Sequence, residues 1–191
     1  SVLLVPCAGH WRVDLQCGPA DDPDAFSSAA GLREWLPKVM PAAYADRVTW
    51  VSTYVFRQAV ANAFTDPSCR ILLAGEAGHV FAPFGARGLN SGIADAFVAA
   101  SSIDAALHAP SPAGAGRCIQ ACAESRRAAA ARNRAASSIA LRHLQAASLT
   151  ARAVRWGAGH LAPAVPAIGR WMDRAPFGPP LGRADDCGMY Y

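Results

Sequence analysis

Arg70-Ile-Leu-Leu-Ala-Gly-Glu-Ala-Gly-His-Val-Phe-Ala-Pro-Phe-Gly-Ala-Arg-Gly-Leu-Asn-Ser-Gly-Ile-Ala-Asp95 is the stretch on which the fold turns. Ile71 to Ala74 is a run of four apolar residues, short enough for a buried strand. Gly75 breaks it. From Gly75 to Gly92 the chain carries five glycines and one proline. A helical pattern then starts at Leu89 and continues through Ile93, Phe97, Ala100, Ile103 and Leu107. Strand, glycine-rich loop, helix is the predicted order. It aims the unpaired amides of a helix N-terminus at whatever the loop encloses. Glycine also lets a flat or anionic ligand come close to the backbone.

The same residues resemble the second flavin-binding motif of the FAD-dependent aromatic hydroxylases. That family's pattern is a strand ending in Gly-Asp, then Ala-Ala-His, a Pro-rich turn and Gly-x-Gly-Leu-Asn-x-Gly-x-x-Asp-Ala. The matching residues are Gly75, Ala77, His79, Pro83, Gly85, Gly88, Leu89, Asn90, Gly92, Asp95 and Ala96. Three departures stand out: Glu76 for Asp, Ala82 for the first of two prolines, and Ala86-Arg87 for Gly-Gln. Cys122-Ala-Glu-Ser-Arg-Arg127 is similar to the family's Tyr-x-x-Glu-Arg-Arg helix, and the resemblance runs in the family's order over about residues 2–148. The family's opening Gly-x-Gly-x-x-Gly and its middle Asp-Gly motif do not occur. The chain therefore resembles a C-terminal half: a fragment, a split subunit or a degenerate paralogue.

The 191 residues are enough for one domain with a real core, or a domain with an appendage. Hydrophobic residues make up 52%, yet no run is long and pure enough for a transmembrane span. The net charge of +4 concentrates in an arginine-rich helix, without the interleaved aromatics of a single-strand stacking platform. A solvated face, or pairing with a further domain, is the reading for those arginines, and no nucleic-acid partner is expected. The cysteines at 7, 17, 69, 118, 122 and 187 form no Cys-x-x-Cys pair and no zinc-finger spacing, so no metal site is expected. They read as thiols of a reducing compartment, and the N-terminus lacks the features of a signal peptide, so the expected location is cytoplasmic.

The fold class read here is α/β, or mixed α+β. Val2 to Val5 and Trp11 to Cys17 are expected strands around Ala8-Gly9-His10. Asp21 to Asp24 is expected as an acidic loop, and Ser27 or Ser28 as the cap of a helix ending at Pro41. Val48 to Phe64 reads as one strand or two, and about 117–149 as a long helix. Residues 1–47 are assigned to the end of a substrate-binding domain by resemblance. Residues 48–150 are the C-terminal part of a flavin domain, and 151–191 an irregular Pro/Gly-rich tail with a short helix near 167–172.

The resemblance implies an FAD-dependent monooxygenase that uses NADH or NADPH and O2 on a small aromatic substrate. Its cofactor-binding residues would be Gly75, Glu76, Pro83, Gly85, Gly88, Leu89 and Asn90. Glu76 would meet the ribityl chain, with a solvated loop carboxylate as the ordinary alternative. Gly88, Leu89 and Asn90 would face the pyrimidine edge of the flavin, and Pro83 would shape a dry pocket beside it. No catalytic side chain is assigned: His79 reads as scaffold, and Asp95 as a capping or packing residue. An N-terminal dinucleotide-binding half is the expected partner. The reading from another class is a truncated, non-catalytic flavin-fold remnant that serves as a binding or scaffold module.

Overall fold

The computed structural model describes residues 2–18, 20–145 and 148–175. The chain divides into two units, Ser1–Val55 and Phe56–Tyr191. The class is mixed: helices dominate, with two short two-stranded sheets. Among the described residues no helix is long and apolar enough to cross a membrane.

In the first unit β1 (Val2–Cys7) pairs antiparallel with β2 (His10–Leu15), Val2 opposite Leu15 and Cys7 opposite His10. Gly9, at φ +77°, supplies the left-handed turn residue such a tight hairpin needs. The acidic stretch is more than a loop. Asp22 accepts the Asp24 N–H at 3.0 Å and caps α1 (Pro23–Ser27), which has Pro at its first position. Ser28 then caps α2 (Ala29–Trp35) through the Gly31 N–H at 3.0 Å. A 3-10 turn, Leu36–Lys38, follows, and among the described residues of this unit Leu36 is the buried one.

The strand or strands expected over 48–64 reduce to β3 (Ala59–Val60). Residues 48–58 have no regular structure, and Trp50, Tyr54 and Val55 are about three-quarters exposed. β-branched and aromatic residues favour a strand only where a neighbouring strand and a covered face receive them. Among the described residues no strand runs beside them.

The second expected strand also fails to form as a ladder. Leu72 makes a single bridge to Thr65, and the Leu73 N–H donates to the Phe64 carbonyl at 2.8 Å. Ile71 is 61% exposed, not buried. A buried strand is covered on both faces, and the described residues bridge only one edge of this segment. The turn before it behaves as expected. The Asp66 carboxylate accepts the Ser68 hydroxyl and the N–H groups of Ser68, Arg70 and Ile71, the last two at 2.7 and 2.8 Å. Led by the Ser68 hydroxyl and the Ile71 N–H, these bonds hold its carboxyl well below the usual carboxylate range.

β3 pairs antiparallel with β4 (His79–Val80). α3 (Arg87–Leu107) starts two residues before Leu89, and α4 (Pro112–Gln145) returns along it after a short turn. Ser111 accepts the Gly114 N–H at 3.1 Å, and Pro112 occupies the first position of α4. Where α3 and α4 meet, both bury small side chains, Ser91 and Ala94 on α3 and Ala123, Ala129, Ala130 and Ala136 on α4, together with the polar groups described below. Alanine brings the two backbones close and costs little helix propensity. Phe64 caps this seam, 1% exposed, over Ala123 and Ala130.

The irregular tail expected over 151–191 is helical where it is described. Ser148 caps α5 (Leu149–Leu161) by accepting the Ala151 N–H at 3.1 Å. α6 (Pro166–Arg174) opens on Pro166 and contains the expected short helix. These start signals outweigh the local Gly and Pro content. Residues 176–191, with Phe177, Leu181, Cys187 and Tyr190-Tyr191, lie outside the described residues.

Candidate functional site

The loop after Ala74 is built from two 3-10 turns, Gly75–Ala77 and Phe84–Ala86. Gly75 has φ +57° and Gly85 φ +77°, conformations that glycine adopts without strain. Gly75 also lies against α3: a Cβ on Gly92 would come within 3.6 Å of the Gly75 Cα. Ala86 precedes α3 in the left-handed region, at φ +53°, and offers no side chain to cap the helix.

The first amides of α3, Arg87 to Asn90, are therefore served by no side-chain cap. The Asn90 side chain folds back instead and donates to the Ala86 carbonyl at 3.0 Å. Space above this turn is open: a Cβ on Gly88 would meet nothing within 4 Å. Leu89 and Asn90 are exposed, as are Glu76 and Pro83, while Gly75, Gly85 and Gly88 are half-buried. All seven sequence-derived positions thus lie on the loop and the helix start it leads into, and each is at least partly open to solvent.

Beneath this surface lies a polar anchor. Asp95, 1% exposed, accepts three hydrogen bonds: from the Gly75 N–H at 2.9 Å, His79 Nε2–H at 2.7 Å and Arg126 Nε–H at 2.7 Å. One carboxylate so joins the loop, β4, α3 and α4. Burial alone would raise its pKa. The bonds from His79, Arg126 and Gly75, with the Arg126 charge, outweigh that and hold it below the usual value. Asp95 stands two turns into α3, too deep to cap it, so of the two roles expected for it the structural one survives as a tie between elements. His79 stacks on Phe81, ring centroids 4.5 Å apart, and lies 6.3 Å from the Phe64 ring. Its Nδ1 is buried without a hydrogen-bond partner. Held in this way it is a scaffold residue.

A second polar layer follows one turn back. Asn133 Nδ2–H donates to Ser91 Oγ at 2.9 Å and Arg87 Nη1–H donates to Asn133 Oδ1 at 3.2 Å. Arg126 is a correction to the sequence reading, which placed the arginines of this helix on a solvated face. Arg126 is 5% exposed. The missed signal is periodicity: Cys122, Arg126, Ala129, Asn133, Ala136 and Ala140 recur at helical spacing, and all are buried. Cys122 is buried on the same face, and that burial pushes its thiol above the usual range.

Two open grooves occur elsewhere. One, of about 580 Å³ within the first unit, is lined by residues including Leu32, Arg33, Asp46 and Val51. The other, of about 560 Å³, runs along α4 beside Val60 and Ala61. The glycine-rich loop lines neither of these two.

Residues 4–136 match the family model described as "FAD binding domain". A 103-residue stretch, 51% of the chain, is 35% identical to a 6-methylpretetramide 4-monooxygenase from Streptomyces rimosus. That match spans only 18% of the length of the relative. No solved structure matches.

Proposed function

The chain belongs to the FAD binding domain family, and from that premise we propose that it supplies the flavin-contacting part of an FAD-dependent monooxygenase acting on small aromatic rings. The observation that carries the reading is the uncapped start of α3 under open space at Gly88, fixed to the glycine-rich loop by Gly75 and Asp95.

FAD fits the residues present. The amides of Gly88, Leu89 and Asn90 would hold the pyrimidine edge of the flavin, and no side chain stands in the way at Gly88. The positive end of α3 favours negative charge at that edge. Glu76 would accept from ribityl hydroxyls, and Pro83 would wall the pocket. When bound, FAD supplies the redox chemistry, with NADH or NADPH as reductant and O2 as oxidant. The chain's own residues bind and orient it. An N-terminal half with a dinucleotide-binding βαβ unit would hold the ADP end, and neither nucleic acid nor a membrane is a partner in this reading. The free thiols among the described residues support a reducing, cytoplasmic setting.

The domain assignment carries over as part of the proposal. In it residues 1–47 are the end of the substrate-binding domain, residues 48–150 the C-terminal part of the flavin domain, and residues 151–191 a C-terminal tail. A second reading, a non-catalytic remnant, draws on Glu76 in place of Asp and on the exposed Ile71 segment.

Titration of FAD by isothermal calorimetry separates these readings. The chain alone is expected to bind weakly or not at all, and a co-expressed dinucleotide-binding half is expected to bring binding into the submicromolar range. Submicromolar binding by the chain alone removes the need for that partner. No binding in either case leaves the remnant reading.

A further inference from the structure

The groove along α4 has a character that flavin binding does not use. α4 holds six arginines against one glutamate. Arg126 is buried on Asp95, but Arg127, Arg134 and Arg142 are exposed and line the groove. Among the described residues none of these three is in an ion pair. No acidic residue lines the groove.

Spacing gives the three arginines a direction. Positions 127, 134 and 142 lie seven and eight residues apart, so they recur on one face at roughly 10–12 Å intervals over about 22 Å. Ala131 and Ala135 line the groove beside Arg127 and Arg134, Ser138 and Ile139 line it between Arg134 and Arg142, and Val60, Ala61 and Asn62 complete the lining. Alanine at these positions admits the backbone of another helix to close packing distance. A single phosphate group could engage one or two of these cations, whereas the whole row fits a rod with the same repeat.

We propose that this face of α4 docks an acidic helix of a partner protein, one bearing carboxylates seven and eight residues apart with small apolar residues between them. Each carboxylate meets one arginine, and the alanines of the two helices pack between the pairs. A symmetric dimer through this face does not fit, because it would set arginine against arginine. The proposal is independent of FAD binding, since neither the glycine-rich loop nor the first turn of α3 lines the groove.

The test uses the full chain and a labelled, alanine-rich helical peptide of 22 residues with glutamates at positions 4, 11 and 19. An isomer with the same composition but glutamates on different faces is the control, and binding is read by fluorescence anisotropy from 50 to 300 mM NaCl. The striped peptide should bind at least tenfold tighter than its isomer and weaken as salt rises. Arg134→Glu should reduce binding about tenfold, and a peptide with lysine in place of its central glutamate should restore it, which loss of folding could not do. Equal binding of the two peptides, or failure of the charge swap, overturns the proposal. So does preferential binding of a duplex oligonucleotide or of inorganic pyrophosphate, which would make the face a general anion surface.

Discussion

Asp95 and Arg126, thirty-one positions apart in the chain, meet at 2.7 Å with both side chains buried. The same carboxylate holds the Gly75 amide and His79, so the glycine-rich loop is fastened to the α3–α4 pair through one residue. The site is exposed, but its support is not.

Loss of either partner leaves a buried charge uncompensated. Arg126→Ala or Asp95→Ala should therefore cost about 3–5 kcal/mol of unfolding free energy, measured by urea denaturation. A loss below about 1 kcal/mol would show that the pair is solvated in solution.

Asp95 also sets an acid limb. Its folded pKa lies below the unfolded value of about 3.9. Its contribution to stability is then fully present above that value and is lost as pH falls through the lower, folded pKa. Thermal unfolding should drop steeply below about pH 4 in the wild type and more gently in Asp95→Asn. Parallel acid limbs would contradict the assignment.

Glycine positions separate packing from propensity. A Cβ on Gly78 would come within 3.0 Å of the Phe64 ring, which is buried and has no room to move. Gly78→Ala should cost about 1–3 kcal/mol. Gly157, inside α5, has nothing within 4 Å of its added Cβ, so Gly157→Ala should stabilise by about 0.4–1 kcal/mol. Melting curves of the two variants should move in opposite directions.

Glu76 tests the departure from the family pattern. A hydrogen bond to a charged acceptor contributes about 1.5–3 kcal/mol, so Glu76→Ala in the FAD-binding assembly should weaken FAD about ten- to a hundredfold. Glu76→Asp, with the shorter carboxylate, should bind as well as wild type or better. Calorimetry showing no change for either would assign Glu76 to solvent.

Legibility in the sequence followed how local each signal is. The Ser28 cap, the β1–β2 hairpin around Gly9 and the start of α3 near Leu89 depend on neighbouring residues, and all three are seen. Ile71 to Ala74 and Val48 to Phe64 were read as strands from composition, but a strand exists only where another strand pairs with it. The buried role of Arg126 needed the distant Asp95 to be known. The seven flavin-motif positions were named through a resemblance, and the physical reading alone reached only the amides of a helix start. α5 was obscured by its glycines, although Ser148 marked its beginning.

The central claim is that the first turn of α3 holds a flavin. The most direct measurement is FAD affinity of the chain paired with a dinucleotide-binding half, for wild type and Gly88→Val. The space above Gly88 is open, so valine should leave the fold intact, as circular dichroism would verify, while standing between the flavin and the helix amides. The account predicts submicromolar binding by the wild-type pair and at least tenfold weaker binding with Gly88→Val. Equal FAD affinity for the two would contradict it.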